Sequence, residues 1–100
     1  MIENIKSEQV DYLFKAIMSL ESIEEFYKLF DDLCTVAEIE DMSKRLQAAK
    51  MLRNGEAYND ISAKTGQSTA TISRVNRCLK YGSNGYNIVL DRLESVNKNE

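Results

Sequence analysis

The sequence predicts an all-α fold of six helices, and three features of the chain support this class. Its 100 residues include no proline and only four glycines, so long helices are not interrupted. Apolar residues recur three and four positions apart along most of the chain, which is the period of an amphipathic helix. No run of alternating β-branched residues indicates a sheet. A chain of this length is predicted to be one small domain, residues 1–100, of a size to which dimerisation often adds stability.

The first two predicted helices start at recognisable caps. Ser7 precedes the first helix, and Ser22 followed by Glu25 reads as a capping box that opens the second. Apolar side chains at helical spacing are predicted to face inward on both helices: Val10, Leu13, Phe14, Ile17 and Leu20 on the first, and Ile23, Phe26, Tyr27, Phe30 and Leu33 on the second.

The third predicted helix is the longest. Thr35 with Glu38 forms a second capping box, and the helix runs from 36 to 53 until Gly55 ends it, a length of about 27 Å at ~1.5 Å per residue. Its apolar stripe is Ile39, Met42, Leu46, Ala49 and Leu52. One small subunit does not easily cover such a rod, so residues 7–54 are predicted to be mainly dimerisation helices.

Residues 57–80 are predicted to form two short helices joined by a tight turn. Tyr58 and Ile61 have helical spacing, Gly66 suits the left-handed conformation that ends a helix, and Ser68 can cap the next. The second helix would turn Ile72, Val75 and Leu79 inward. This pattern is typical of a helix-turn-helix unit, whose second helix enters the major groove of DNA. Ser62 and Thr65 are more polar than is usual, and a plain helical hairpin is the alternative.

The outward residues of this hairpin have the chemistry that DNA requires. Short hydroxyl side chains let the backbone approach base edges, and arginine and lysine neutralise phosphate charge. The predicted DNA-binding residues are Lys64, Gln67, Ser68, Thr69, Ala70, Thr71, Ser73, Arg74, Arg77 and Lys80.

Charge is segregated along the chain in a way that favours DNA binding. The net charge is −3, but residues 1–43 carry −8, residues 44–82 carry +6 and residues 83–100 carry −1. Screening limits the reach of distant charge to ~8 to 10 Å, so a phosphate backbone would respond mainly to the basic block.

A last helix is predicted over residues 84–96, after a loop at 81–85. Its apolar stripe, which is expected to fold back on its own subunit or on a neighbour, is Tyr86, Val89, Leu90, Leu93 and Val96.

Composition argues against several other classes of protein. The chain has no histidine, no paired-cysteine spacing and no glycine-rich phosphate loop, so neither a catalytic site nor a metal site is expected. The start is not a secretory signal, and no apolar run approaches the ~20 residues of a membrane span. Cys34 and Cys78 are not in a paired motif, which suits reduced thiols in the cytoplasm. We therefore expect the protein to act there.

The segment from Ala70 to Arg74, read as Ala-Thr-Ile-Ser-Arg, resembles the Ala-Thr-Ile-Thr-Arg of the tryptophan repressor family, in particular its YerC/YecD-type branch. Leu79-Lys80 follows, as it does in that family, and the resemblance extends over roughly residues 30–95. It implies an intertwined homodimer, a transcriptional repressor with its two reading heads one turn of DNA apart, ~34 Å.

The resemblance also implies an amino-acid co-repressor bound between the long helix and the reading helix. The effector-binding residues would be Arg45, Arg74 and a partner's Thr35, with Val75 and Cys78 where tryptophan-binding members have glycine and serine. A β-branched side chain takes volume that an indole needs, and such overpacking costs ~1 to 3 kcal/mol, which disfavours tryptophan. Another amino acid, with histidine biosynthesis as one candidate pathway, and an effector-free dimer both stay open.

A second class of function also fits the sequence. A helical interaction module, such as an adaptor or an antitoxin, could use the same hairpin against a protein. Salt separates the two hypotheses, because DNA binding weakens steeply as salt rises and an apolar protein interface does not.

Overall fold

The computed structural model describes residues 2–98 and contains only helices and connecting segments over that range. A short 3-10 helix, Ile2–Asn4, comes first. Six α-helices follow, which confirms the predicted fold class: α1 Glu8–Met18, α2 Ile23–Leu33, α3 Val36–Arg53, α4 Tyr58–Thr65, α5 Thr69–Tyr81 and α6 Gly85–Lys98. None of these helices is both long and apolar enough to cross a membrane.

The predicted caps start the first three helices. The hydroxyl of Ser7 accepts a hydrogen bond from a first-turn backbone N–H at 3.0 Å, and that of Ser22 accepts one from the N–H of Glu25 at 3.2 Å. At α3 the capping box is reciprocal: Thr35 Oγ1 accepts from the Glu38 N–H at 3.1 Å, and Glu38 Oε1 accepts from the Thr35 N–H at 2.8 Å. These bonds favour the charged carboxylate and lower the pKa of Glu38.

The chain divides into two compact units, one up to Ile39 and one from Glu40 onward. Among the described residues of the first unit, none is fully buried. The prediction that its apolar stripes face inward is wrong within a single chain for Phe14, Ile23, Phe26, Tyr27 and Leu33, which are all exposed. The reason is that two short helices and the start of α3 offer no further layer to cover these faces.

The second unit contains the hydrophobic core. Its buried apolar side chains come from all four of its helices: Ala48, Ala49 and Met51 of α3, Ile61 of α4, Ile72 and Val75 of α5, and Leu90 of α6. The predicted stripe on α3 is correct for Ala49, which is buried, and for Leu52, which packs against the core. It is wrong for Met42 and Leu46, which are exposed, and it missed Ala48 and Met51, which are buried. The two adjoining alanines are completely covered, so α3 contacts its neighbours through its smallest side chains.

Polar contacts from α6 fix the ends of α3 and α5. Arg53 Nη2 lies 2.7 Å from Asp91 Oδ1 and 3.6 Å from Glu94 Oε2, and the arginine side chain is only 24% exposed. Asn87 Nδ2 donates to the carbonyl of Leu79 at 3.0 Å, which satisfies one of the free carbonyls at the end of α5. The second unit therefore holds α5 at both its core face and its C-terminal end.

The last helix begins one residue later than predicted, at Gly85. Of its apolar stripe only Leu90 is buried and Tyr86 is half-buried. Val89, Leu93 and Val96 are exposed, so this subunit does not cover the stripe that was expected to fold back on it or on a neighbour.

Candidate nucleic-acid interface

The turn between α4 and α5 is defined by one glycine and one serine. Gly66 has φ of 77° and donates its N–H to the carbonyl of Ser62 at 2.8 Å, which ends α4. Ser68 has extended backbone angles, and its Oγ accepts a hydrogen bond from the Thr71 N–H at 3.1 Å, which starts α5. Both residues have the roles that the sequence predicted for them.

The two polar residues of α4 that argued against this unit hold the turn in place. Ser62 Oγ donates to the carbonyl of Gln67 at 2.7 Å. Thr65 Oγ1 donates to the carbonyl of Ile61 at 2.8 Å and accepts from the Gln67 N–H at 3.2 Å. Because both backbone groups of Gln67 are bonded to α4 side chains, the polarity of α4 is a requirement of the turn.

The two helices of the hairpin pack through an apolar contact and one polar contact. Ile61 and Ile72 are fully buried, and Val75 is 3% exposed. Asn76 Nδ2 donates to the Tyr58 hydroxyl at 3.0 Å. These contacts fix α5 against α4 and leave its other face free.

That free face has hydroxyl and cationic side chains. Thr69, Ser73, Arg77 and Lys80 are exposed and lie four, four and three residues apart, which places them along one side of α5. Ala70 is exposed beside them. No acidic residue occurs between positions 60 and 91 of the chain. Within residues 2–98, neither Arg77 nor Lys80 forms an ion pair, so both cations are available to phosphates.

Four of the predicted DNA-binding residues differ from this exposed row in their burial or in the bonds that they form. Lys64 Nζ lies 2.8 Å from Glu56 Oε1. This contact raises the pKa of Lys64, so the lysine stays charged, but the negative charge of Glu56 partly offsets it. Ser68 uses its hydroxyl as the helix cap, and Thr71 is half-buried. Gln67 is 7% exposed, so in this conformation its side chain does not belong to the surface on which we predicted it.

A pocket of about 270 Å³ opens beside α5 within the second unit. It is lined by Asp41, Arg45, Thr71, Arg74, Val75, Cys78 and Tyr86. Four of the five predicted effector-binding residues are therefore brought together. The fifth, Thr35, does not line the pocket, and its hydroxyl is engaged in the cap of α3.

Asp41 changes the electrostatics of this pocket. Its carboxylate forms an ion pair with Arg45 one turn along α3, whereas Arg74 forms none among the described residues. Burial raises the pKa of Tyr86, an effect that the nearby charge of Arg45 opposes, so its phenol stays neutral at pH 7. Our sequence reasoning missed both Asp41 and Tyr86. The i, i+4 spacing of Asp41 and Arg45 was a signal for the first.

Comparison with known proteins places this geometry in a family. The Trp repressor protein family matches residues 8–94. The chain belongs to the Trp repressor family. It is 50% identical over 95 residues to the uncharacterized protein YerC of Bacillus subtilis (strain 168), a match that covers 95% of this chain and 91% of that protein.

Solved structures give the same result for the fold. A TrpR-like protein from Eubacterium eligens ATCC 27750 is 51% identical and superposes with a TM-score of 0.89, over 92% of this chain and 95% of that one. A structure from Staphylococcus aureus is 50% identical with a TM-score of 0.89, over 94% of each chain. The predicted family is thus confirmed. Members of this family are helical DNA-binding regulators rather than enzymes.

Proposed function

We propose that the chain is a sequence-specific transcriptional repressor that binds operator DNA as a homodimer. The observation that carries this proposal is the exposed face of α5, where Thr69, Ser73, Arg77 and Lys80 lie together without an acidic neighbour on their helix. Hydroxyls near the start of the helix would meet base edges, and the cations further along would meet phosphates. The core and the polar contacts of the second unit support this role, because they hold the helix rigidly.

The exposed apolar side chains of the first unit support the dimer. Met18, Ile23 and Tyr27 are 82%, 75% and 74% exposed, an unusual amount of apolar surface for so small a unit. A second copy of the chain offers the same surface, which makes a two-fold interface the simplest way to cover it. A dimer would present two reading helices to successive major grooves, ~34 Å apart.

Salt dependence of DNA binding tests the proposal directly. We expect affinity for genomic fragments, measured by fluorescence anisotropy, to fall steeply with salt and each lost phosphate contact to reduce the log–log slope by ~0.9. Arg77→Gln and Lys80→Gln should each do so for every sequence, whereas Thr69→Ala should change which sequence is preferred. Lys28→Gln, an exposed lysine of α2, is the control. A flat salt response would favour the protein-interaction module.

The pocket beside α5 suits an amino acid other than tryptophan as co-repressor. Arg74 forms no ion pair within residues 2–98 and can bind a carboxylate, while Arg45 is already held by Asp41. Val75 lines the same pocket and limits the space for a flat ring. About 270 Å³ is near the lower end of ligand pockets, a size that fits a small effector. Histidine biosynthesis is one candidate pathway for such a regulator.

Calorimetric titration with the twenty amino acids tests the effector. If a carboxylate binds both arginines, Asp41→Asn should tighten binding severalfold, because it releases Arg45 from its internal partner. Asp60→Asn, an exposed acid of α4 outside the pocket, should bind like the wild type. No heat for any amino acid with either protein would contradict the effector and favour an effector-free dimer.

A further inference from the structure

The side chain of Gln67 is buried, and its amide has no hydrogen-bond partner within residues 2–98. Only 7% of the residue is exposed, and neither Oε1 nor Nε2 has a partner among the described residues. Buried amides in folded proteins are nearly always bonded, since leaving both ends unmet is costly. Gln67 is therefore the exception that needs an explanation.

A loose backbone does not account for this placement. The N–H of Gln67 donates to Thr65 Oγ1 at 3.2 Å, and its carbonyl accepts from Ser62 Oγ at 2.7 Å. The main chain is thus bonded on both sides of the side chain. Only rotation about the side-chain bonds can move the amide, and such rotation leaves the turn intact.

The position of Gln67 in the turn links the amide to the reading helix. Its neighbours Gly66 and Ser68 are both exposed, and Ser68 is the cap of α5. Unpaired N–H groups at a helix N-terminus favour phosphate, so the amide lies one residue from the place where the DNA backbone is expected. Rotation about the side-chain bonds of Gln67 would bring the amide from the interior toward that surface.

We propose that Gln67 is a DNA contact that is buried in the free protein and rotates outward when the hairpin docks. This inference rests on the proposed DNA-binding function. The amide has no hydrogen bond to the described part of the chain that it would lose, and it gains one when its Nε2 donates to an oxygen of the DNA. A phosphate oxygen and an acceptor on a base edge offer the same chemistry, and the choice of DNA distinguishes them.

Gln67→Met tests the inference because methionine has the same length and no amide. In the free protein we expect the unfolding midpoint to rise by about 4 to 8 °C, since an unmet polar group is removed from the interior. We expect DNA affinity to fall by about tenfold. The log–log salt slope should not change, because a neutral amide displaces no counterion, whereas Lys80→Gln should reduce it.

Two DNA probes identify the contacted group. Affinity that falls equally for a random duplex and for a genomic fragment selected by the wild-type protein indicates a phosphate. Affinity that falls only for the selected fragment indicates a base edge. Either result supports a DNA contact by Gln67.

Side-chain NMR provides a readout that does not depend on the variant's stability. The Gln67 NH₂ signals, assigned by their loss in Gln67→Met, should exchange slowly with water in the free protein and shift when DNA is added. Fast exchange in the free protein would overturn the buried state. So would a destabilised Gln67→Met protein, because it would show that the amide has a partner in the fold.

The controls separate this inference from the function on which it rests. Wild-type protein that ignores DNA at low salt would overturn the proposed function and the DNA contact together. Wild-type protein that binds DNA while Gln67→Met binds equally well would overturn the inference alone.

Discussion

Both units of the chain contain helices with an apolar stripe, but they differ in how much of it is covered. Residues 40–100 contain every buried apolar side chain of the described core and carry ten basic residues against seven acidic ones. Residues 1–39 carry nine acidic residues against three lysines, and none of those described is fully buried. Periodicity thus specifies which face of a helix is apolar, but it does not say whether the same chain or another one covers that face.

The largest effect that the comparison predicts is in the core of the second unit. Ile72→Ala should lower the free energy of unfolding by about 2 to 5 kcal/mol, because the side chain is fully buried and its removal leaves a cavity. Chemical denaturation at several protein concentrations measures this loss, which should be independent of concentration if the core is complete within one chain. Ser73→Ala, the exposed neighbour, is the control. A loss that appears only in dilute protein would mean that the second unit also depends on a partner.

A smaller effect is predicted for the first unit, and this one should depend on protein concentration. Ile23→Ser should raise the dimer dissociation constant by about 10- to 100-fold, the loss expected when one large apolar side chain no longer enters an interface. Sedimentation equilibrium gives this constant, and Lys28→Ser on the same helix should leave it unchanged. If Ile23→Ser dissociates no more readily than the control, the exposed face of α2 is not part of the dimer.

The smallest effect is the pH dependence of stability that comes from the capping box at the start of α3. The lowered pKa of Glu38 means that its ionised form stabilises the fold above the ordinary pKa of 4.5, and that this contribution is lost as the pH falls through the lowered value. Glu38→Gln keeps an oxygen for the cap but removes the charge. Its thermal midpoint should therefore lie below that of the wild type at pH 7 and approach it as the pH falls below the ordinary pKa of 4.5. Glu40→Gln, exposed on the same helix outside the capping box, is the control.

The helix limits were predictable because the signals that set them are local. Ser7, Ser22 and Thr35 start the first three helices through bonds to residues three positions away, and Gly66 ends α4 with a positive φ. Such contacts depend on neighbouring residues alone. The hairpin and the family could therefore be recognised from the sequence.

Features that depend on tertiary packing were less accessible. On α3 the sequence predicted the burial of Ala49 but missed that of Ala48, because one alanine is a weak signal beside Met42 and Leu46. The side chain of Gln67 is buried although its neighbours Gly66 and Ser68 are exposed, and no local signal in the sequence indicates that difference. From residue type alone, a glutamine in a turn is expected to be exposed.

Thr71 and Arg74 are members of the predicted reading surface and also line the pocket beside α5. A molecule in that pocket and an operator would therefore share side chains of one rigid helix. Thermodynamic linkage then applies. If the small molecule changes the affinity for an operator by some factor, the operator changes the affinity for the small molecule by the same factor. Effector retention measured with and without duplex would consequently report the sign of regulation before any target gene is known.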